Sequence, residues 1–136
     1  MVIAVSHEII SPRDAVSGLP TGQRQHKALV ITKELDKSTP LLYNALVTNE
    51  NLTEVTLKFW TPQLRATAGT ASEVQHFTIK LTNANIASID FRMLNVKNPD
   101  LTKYAEYEEI AFTYHKIEWV WNDGGITAGD DWETRA

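Results

Sequence analysis

The sequence predicts a mainly β protein, an antiparallel sandwich or barrel with one short α-helix. Apolar and polar residues alternate with period two in several segments, which is typical of strands that bury one face. Runs of turn-forming residues separate these segments, as expected for an antiparallel sheet. The segments do not alternate regularly with helices, which disfavours a parallel sheet. We therefore expect about six or seven strands and one helix.

The stretch from Leu29 to Trp60 organises this prediction, because it combines strand, helix and strand. Leu29 to Leu35 alternates as a strand, and the alternation returns from Leu52. Between them, Ser38 can accept from the first free N–H groups of a helix, and Pro40 suits its first turn. A helix of about eight residues is unstable alone in water, so its apolar stripe must dock on the strands. The docking residues are Leu41, Leu42, Ala45 and Leu46.

Further strands are expected on both sides of this stretch. They are Val2 to Ile10, Val74 to Leu81, Ile86 to Met93, and Glu108 to Asn122, the longest candidate. Asn83 to Asn85 separates the segment Val74 to Leu81 from Ile86 to Met93. These two segments therefore form either a hairpin or one bent strand. In the last segment the apolar residues change from even-numbered to odd-numbered positions near His115. Either a bulge shifts the register there or both faces of the strand are covered.

The remaining segments are predicted to be irregular. Thr61 to Ser72 is a break, Asn95 to Tyr107 is a loop, and Asp123 to Gly125 is a turn. Residues 126–136 form a C-terminal tail with Trp132 as an anchor. The segment 11–27 is a polar loop, and loops above roughly 12–15 residues are usually functional or disordered. It is either a mobile surface excursion or an arm that binds a partner.

Composition excludes several classes of protein. The 136 residues suit a single domain over 1–136, with 43% hydrophobic and 22% charged residues. No segment approaches the roughly 18 apolar residues of a membrane span. The net charge of −4 argues against nucleic acid as a partner. Cysteine is absent, and the N-terminus lacks the features of a signal peptide.

The motifs that usually carry chemistry are weak in this chain. The four histidines lack metal-ligand spacing, so no metal site is expected. Ser6-His7-Glu8 lists a nucleophile, a base and an acid, but neighbours in a strand point to opposite faces. Gly129-Asp130-Asp131 lacks the alternating oxygen ligands of a calcium loop. Asn51-Leu52-Thr53 matches a glycosylation acceptor only by accident if no secretory signal is present. We expect no catalytic residue and no cofactor.

Two rival functions remain from the residues alone. Trp119 and Trp121 share one face of a strand and could stack sugars, which predicts a ligand- or carbohydrate-binding barrel. Their alternative role is in a core or an oligomer contact. A hydrolase that uses His7 or His115 is the second rival.

The sequence resembles the Hcp (hemolysin-coregulated) proteins of type VI secretion systems over nearly its whole length. Two motifs are specific in combination: T-K-x-x-D-K-S-T-P at Thr32 to Pro40, and F-x-Y-x-K-I-x-W at Phe112 to Trp119. The matching segments are Gly18 to Leu46, Leu52 to Trp60, His76 to Ile89 and Glu108 to Trp132. The resemblance implies an antiparallel β-barrel of two sheets with one short α-helix on its flank.

The resemblance also implies a function without a catalytic centre. Six copies would form a homo-hexameric ring, and stacked rings a tube that a contractile sheath drives out of the cell under a spike protein (VgrG). The pore would hold small effector proteins. The protein would assemble in the bacterial cytoplasm and leave through the secretion apparatus, without nucleic acid and without membrane insertion.

The resemblance assigns roles to particular positions. Ser6 lies in the strand that resembles the pore-lining strand, and the loop 11–27 resembles one that reaches toward neighbouring subunits. Its contact candidates are Arg13, Arg24, Gln25 and His26. Family members usually begin with a few tens more residues, including a first strand. We therefore expect an open sheet edge near the N-terminus, which invites pairing with another chain.

Overall fold

A computed structural model describes residues 1–64 and 71–131. Within these ranges the chain forms nine strands, one α-helix and a 3-10 turn at Pro99–Leu101. In chain order these strands and the helix are β1 Val2–Ser6, β2 Ile9–Ile10, β3 Gln25–His26, β4 Leu29–Glu34, α1 Thr39–Val47, β5 Leu52–Leu64, β6 Ala71–Arg92, β7 Tyr107–Thr113, β8 Lys116–Trp121 and β9 Ile126–Asp131. All strand pairs are antiparallel. The predicted mainly β, antiparallel class with one helix is confirmed.

The described residues fall into two compact units. The first unit contains Met1–Asn51 and Asn85–Thr113, and the second contains Leu52–Ala84 and the chain from Tyr114 onward. In the first unit the strands follow the order β1–β4–β7–β6, with β2 and β3 forming a separate ladder. In the second unit they follow the order β5–β6–β8–β9. Strand β6 contributes its last residues to the first unit and its earlier residues to the second.

Strand β6 is one strand of 22 residues, so of the two alternatives expected around Asn83 to Asn85 the structure has the single strand and not the hairpin. Its residues up to Ala84 pair with β5 or β8, and those from Asn85 pair with β7. Asn83 has φ +52°, a conformation that asparagine adopts more readily than most residues. The polar sequence Asn83 to Asn85 therefore lies where β6 changes its pairing partners from β5 and β8 to β7, and it does not end the strand.

The longest predicted strand, Glu108 to Asn122, is in fact two strands. They are separated at Tyr114 and His115. Strand β7 pairs with β4 and the end of β6, whereas β8 pairs with the earlier part of β6 and with β9. The change of apolar parity near His115 thus marks a change of unit. It reflects neither a bulge within one strand nor a strand covered on both faces.

Three segments predicted to be irregular carry strand residues: the loop 11–27 contains β3, the break after Thr61 contains the end of β5, and the C-terminal tail contains β9. The strand count exceeds six or seven because β3 and β9 are additional and because the predicted strand Val2 to Ile10 is divided into β1 and β2. Strand β5 extends to Leu64, and Pro62 is tolerated because β5 pairs only with β6 in the described ranges. The expected tail is wrong for Ile126–Asp131, which form β9 against β8. The expected anchor Trp132 lies outside the described residues. The turn at Asp123 to Gly125 is confirmed, with positive φ at both glycines.

The core of the first unit consists of one face of the sheet. Leu29 and Ile31 alternate with more exposed residues in β4, as the sequence predicts. They lie directly opposite Phe112 and Ile110 of β7. All four side chains are buried. The same face also buries two charged residues, which the apolar alternation does not lead one to expect.

Lys33 and Glu108 form this buried ion pair. They lie directly opposite each other in the β4–β7 ladder, with 5% and 0% of their surfaces exposed. Lys33 Nζ lies 2.7 Å from Glu108 Oε1 and 2.9 Å from Asp36 Oδ1. Burial lowers the pKa of Lys33, but the hydrogen bonds to Glu108 and Asp36 outweigh it, so its pKa is raised.

Asp36 and Thr39 connect this pair to the start of the helix. Thr39 Oγ1 donates to Glu108 Oε1 at 3.1 Å and accepts from the Asp36 amide at 3.1 Å. Asp36 Oδ1 accepts from both the amide and the hydroxyl of Ser38. The Ser38 hydroxyl, followed by Lys33, holds the pKa of Asp36 well below its usual range. The motif T-K-x-x-D-K-S-T-P is therefore a single hydrogen-bonded corner.

Ser38 occupies the N-cap position of α1, but its side chain makes no capping hydrogen bond. The expected role is wrong because the Ser38 hydroxyl bonds to Asp36 instead. Pro40 occupies the first turn of the helix as predicted.

The apolar stripe of the helix is narrower than expected. Ala45 is buried, and Leu42 and Leu46 are half-buried. Leu41 is 71% exposed, so its expected docking is wrong. Consecutive helical positions are separated by about 100° around the axis, so Leu41 and Leu42 cannot both face the centre of one contact.

We expect Lys33→Met to lower the free energy of unfolding by about 3–5 kcal/mol, because it leaves the Glu108 charge buried without its partner. Urea denaturation measures this loss. The double variant Lys33→Met/Glu108→Leu should recover most of it, since it removes both buried charges. Lys80→Met is the control, because the exposed pair Lys80–Glu54, at 3.8 Å, should contribute less than about 1 kcal/mol. Equal losses from Lys33→Met and Lys80→Met would contradict the prediction.

Leu42 and Leu41 offer a matched test of helix docking. Leu42→Asp places a charge against the half-buried contact and should cost about 1–3 kcal/mol. Leu41→Asp introduces the same charge at an exposed position, and its effect should stay within about 0.5 kcal/mol. Thermal unfolding of both variants checks the difference. Docking on this face is ruled out if the two midpoints fall equally.

Candidate functional site

The predicted loop 11–27 largely coincides with a paired excursion, residues 9–26, that we call the arm. Strands β2 and β3 close its base, with Ile9 opposite His26 and Ile10 opposite Gln25. Farther out, Arg13 and Pro20 form an isolated bridge. The arm therefore resembles an irregular hairpin more than the open loop expected from its sequence.

The tip of the arm is hydrogen-bonded within itself. Asp14 accepts from the Val16 amide at 3.2 Å and the Ser17 hydroxyl at 2.8 Å. The backbone closes through Gly18 N to Asp14 O at 2.9 Å and Asp14 N to Leu19 O at 2.8 Å. The Ser17 hydroxyl is the main cause of a lowered Asp14 pKa. This ordered turn displays two apolar side chains, Val16 at 95% exposure and Leu19 at 65%.

The contact candidates of the arm have unequal exposure. Arg13 and Gln25 are exposed, whereas Arg24 and His26 are half-buried. Arg13 lies halfway along the arm, and the other three lie at or beside its base. Arg24, Gln25 and His26, which are consecutive in the sequence, thus lie at the base, and Arg13 lies nearer the tip.

Strand β1 forms an edge of the first unit. Among the described residues it pairs only with β4, through contacts such as Ser6 opposite Val30. Ser6, Val2 and Ile3 are exposed. An edge strand with exposed apolar residues offers unpaired backbone groups to another strand. Within the described residues, β1 is therefore an edge strand of the first unit.

The sheet of the second unit has one apolar face, organised in three cross-strand rows. In order along the strands, the rows are Val55–Leu81–Ile117, Leu57–Ile79–Trp119 and Phe59–Phe77–Trp121. We call the second of these the middle row and the third the outer row. Exposure rises along this series: Leu81 and Ile117 are fully buried, whereas Trp121 is 46% exposed. Ile126 of β9 extends the outer row and is 69% exposed.

The opposite face of this sheet is polar and carries ion pairs. Lys80 lies 3.8 Å from Glu54, and Lys116 lies 3.0 Å from Glu118. The Lys116 hydrogen bond is the main cause of a lowered Glu118 pKa. The exposed apolar residues of the outer row are therefore on the face opposite to these ion pairs. Exposed apolar patches are typical of contact surfaces.

The paired indoles proposed for sugar stacking belong to this apolar face. Trp119 is half-buried in the middle row, and Trp121 lies in the outer row. The rings of Trp121 and His76 form a T-shaped pair, with 6.1 Å between ring centroids. The cross-strand rows show that both indoles take part in packing on this face.

The four histidines are dispersed between the two units. His7 and His26 lie at the base of the arm, and His76 and His115 belong to the second unit. Burial, followed by the charge of His26, lowers the pKa of His7. Glu8 Oε2 lies 3.5 Å from Lys27 Nζ, in an exposed ion pair.

The ranges that the structure describes contain no group of three or more metal-ligating side chains. In the same part of the chain, no helix has the length and hydrophobicity required to cross a membrane.

The sequence reasoning missed two features of these surfaces. The apolar display at Val16 and Leu19 was hidden in a loop described only as polar. The Asp14-x-x-Ser17-Gly18 pattern, typical of a side-chain-stabilised turn, could have located it. The outer row was missed because it joins residues of four strands, whose register no single segment contains.

Comparisons with known proteins agree on one family. A family model described as "Type VI secretion system effector, Hcp" matches residues 1–121. The chain is 39% identical over 134 residues to the "Major exported protein" of Pseudomonas aeruginosa, covering 98% of this chain and 75% of that protein. A structure titled "Crystal structure of Hcp protein" superposes with a TM-score of 0.83 at 35% identity, covering 97% of this chain and 76% of the other. "Secreted protein Hcp3 from Pseudomonas aeruginosa" gives 0.72 at 33%, covering 97% and 74%.

Proposed function

This chain belongs to the Hcp family of type VI secretion system proteins, and we propose that six copies close into a ring that stacks into a secretion tube. The observation that carries the proposal is the family match, which covers residues 1–121. A ring closed by rotation requires two different, complementary patches on each subunit. The surfaces described above supply candidates for both.

The arm is the first candidate patch. Its tip is fixed by internal hydrogen bonds and exposes Val16 and Leu19 to solvent. A preorganised apolar tip loses little conformational entropy on docking, which favours its use as a contact. Arg13, Arg24, Gln25 and His26 supply polar contacts along the same arm, toward neighbouring subunits or the next ring.

The edge of β1 and the outer row of the second unit are further candidates. Strand β1 can extend its sheet by pairing with a strand of another copy. The row Phe59–Phe77–Trp121 and the adjoining Ile126 can bury apolar surface against a neighbour.

The assembled tube would act by transport. We propose that it forms in the bacterial cytoplasm, carries small effector proteins in its pore, and is expelled by the contractile sheath under the spike protein VgrG. The relative from Pseudomonas aeruginosa is called a major exported protein, which supports export of this chain. In this function the chain makes and breaks no covalent bond, and the hydrolase rival at His7 or His115 is set aside.

The mass of the particle tests the proposal. Native mass spectrometry should find a species of six times the 15.3 kDa chain, and electron microscopy should show rings. Val16→Asp should reduce the hexamer fraction without changing the unfolding midpoint, because Val16 is almost fully exposed. Val96→Asp, an equivalent change at another exposed valine outside the arm, is the control. A monomer that persists at high concentration and binds glycans would favour the carbohydrate-binding rival.

Ser6 provides a separate test of the pore. We propose that it faces the lumen, and its exposure in the single chain makes it available for labelling. In Ser6→Cys, a thiol reagent too large for the pore should react with the dissociated chain and not with the assembled tube. Equal labelling of both forms would place Ser6 outside the lumen.

A further inference from the structure

A cavity of about 330 Å³ lies within the first unit, beside Glu34 at the end of β4. Its apolar walls are Ile3 of β1, Tyr107 of β7, and Leu94 and Tyr104 from the segment between β6 and β7. Ile3 and Tyr104 are both more than half exposed. An open cavity with apolar and aromatic walls is typical of a binding site. We call this cavity the strand-end pocket.

The segment between β6 and β7, which forms one wall of the pocket, is held by its own contacts. The Tyr104 amide donates to the Leu101 carbonyl at 3.2 Å, and the Leu35 amide donates to the Glu106 carbonyl at 3.3 Å. Lys103 Nζ lies 5.4 Å from the centre of the Tyr104 ring, in a cation–π contact. A pocket with a preorganised wall loses little conformational entropy when a partner docks.

The tip of the arm carries side chains that suit this pocket. Val16 and Leu19 are exposed on a turn that the Asp14 carboxylate holds through Val16 and Ser17. An apolar cavity of about 150 Å³ is enough to admit a benzene ring. The strand-end pocket therefore has room for aliphatic side chains of this size, which would leave water when they enter it.

The charges of the arm and the pocket are complementary. Glu34 lines the pocket, and Arg13 lies on the arm; both are exposed. In the ranges that the structure describes, neither the Glu34 carboxylate nor the Arg13 guanidinium has an ion-pair partner. Opposite charges on two surfaces favour their encounter and fix the orientation in which they dock.

The arm and the pocket belong to opposite ends of one ladder. The β1–β4 ladder runs from Ser6–Val30 at one end to Val2–Lys33 at the other. The arm leaves the ladder at the first end, and the pocket lies at the second, beside Glu34. This placement suits a contact in which one copy supplies the arm and another supplies the pocket. Such a contact joins two different patches and can continue from copy to copy.

We propose that the strand-end pocket receives the tip of the arm from a second copy of this chain, with Val16 and Leu19 in the pocket and Arg13 paired with Glu34. This inference rests on the proposed function, because it names the surface that the arm contacts in the assembly.

Disulfide cross-linking between two single variants tests the docking. The chain contains no cysteine, so every disulfide comes from the introduced residues. When Val16→Cys and Ala105→Cys are mixed and oxidised, the mixed disulfide should form, because Ala105 lines the pocket and a disulfide needs Cα atoms within about 7 Å. Peptide mass spectrometry measures its yield.

Val47→Cys, at an exposed valine of α1 outside the pocket, is the control partner for Val16→Cys. The yield with Ala105→Cys should be several-fold higher than the yield with Val47→Cys. Equal yields would overturn the proposal and leave the pocket to another occupant, such as a small apolar ligand.

The double variant Val16→Cys/Ala105→Cys shows whether the arm enters the pocket of its own chain. Docking between copies should give a ladder of oxidised products at multiples of the 15.3 kDa chain on a non-reducing gel. A ladder that stops at six copies supports docking within one ring, and a longer ladder supports docking between stacked rings. A disulfide confined to the single chain would overturn the proposal.

Charge reversal tests the pairing of Arg13 with Glu34. Arg13→Glu in the Val16→Cys chain should lower the yield of the mixed disulfide several-fold, and so should Glu34→Arg in the Ala105→Cys chain. Mixing the two reversed chains should restore the yield, because the charges are exchanged. The pairing is refuted if the yield stays low.

Native mass spectrometry of the unmodified chain separates this inference from the proposed function. A hexamer together with equal yields at Ala105 and Val47 would refute the docking and leave the ring in place. The Val16–Ala105 disulfide in a chain that forms no hexamer would refute the ring and support the docking.

Discussion

The buried pair between Lys33 and Glu108 is the constraint on which the first unit depends. Two opposite charges in an apolar face are tolerated only when they meet, because an unpaired buried charge costs several kcal/mol. Since the residues lie directly opposite, a slip of one position between β4 and β7 would separate them and turn both away from their face. The pair thus constrains the register between β4 and β7.

The same pair fixes where the helix begins. Glu108 Oε1 accepts from both Lys33 and Thr39, and Asp36 accepts from both Lys33 and Ser38. A strand, a corner and a helix N-terminus therefore share one set of polar atoms. Glu108 Oε2 is buried without a hydrogen-bond partner among the described residues, which makes the existing bonds harder to replace.

Polar chemistry in this chain serves mainly to shape its surfaces. Lys33, Asp36 and Glu108 hold the corner between β4 and α1 together. Asp14 closes the tip of the arm through its bond with Ser17. The outward-facing features are apolar by contrast: Val16 and Leu19 on the arm, and Trp121 and Ile126 on the second unit. A distribution of this kind fits the proposed self-assembly, and the tip of the arm is ordered by its own hydrogen bonds.

The sequence by itself determined the features that depend on local pattern: the alternation of β4, the helix near Thr39–Val47 and the turn at Asp123 to Gly125. Its motifs also determined the family. Only the tertiary structure decided that β6 serves both units, that β7 ends before His115, and that Leu41 faces solvent while Lys33 is buried. These features depend on partners distant in sequence, and a strand's own residues specify its period without specifying its neighbours.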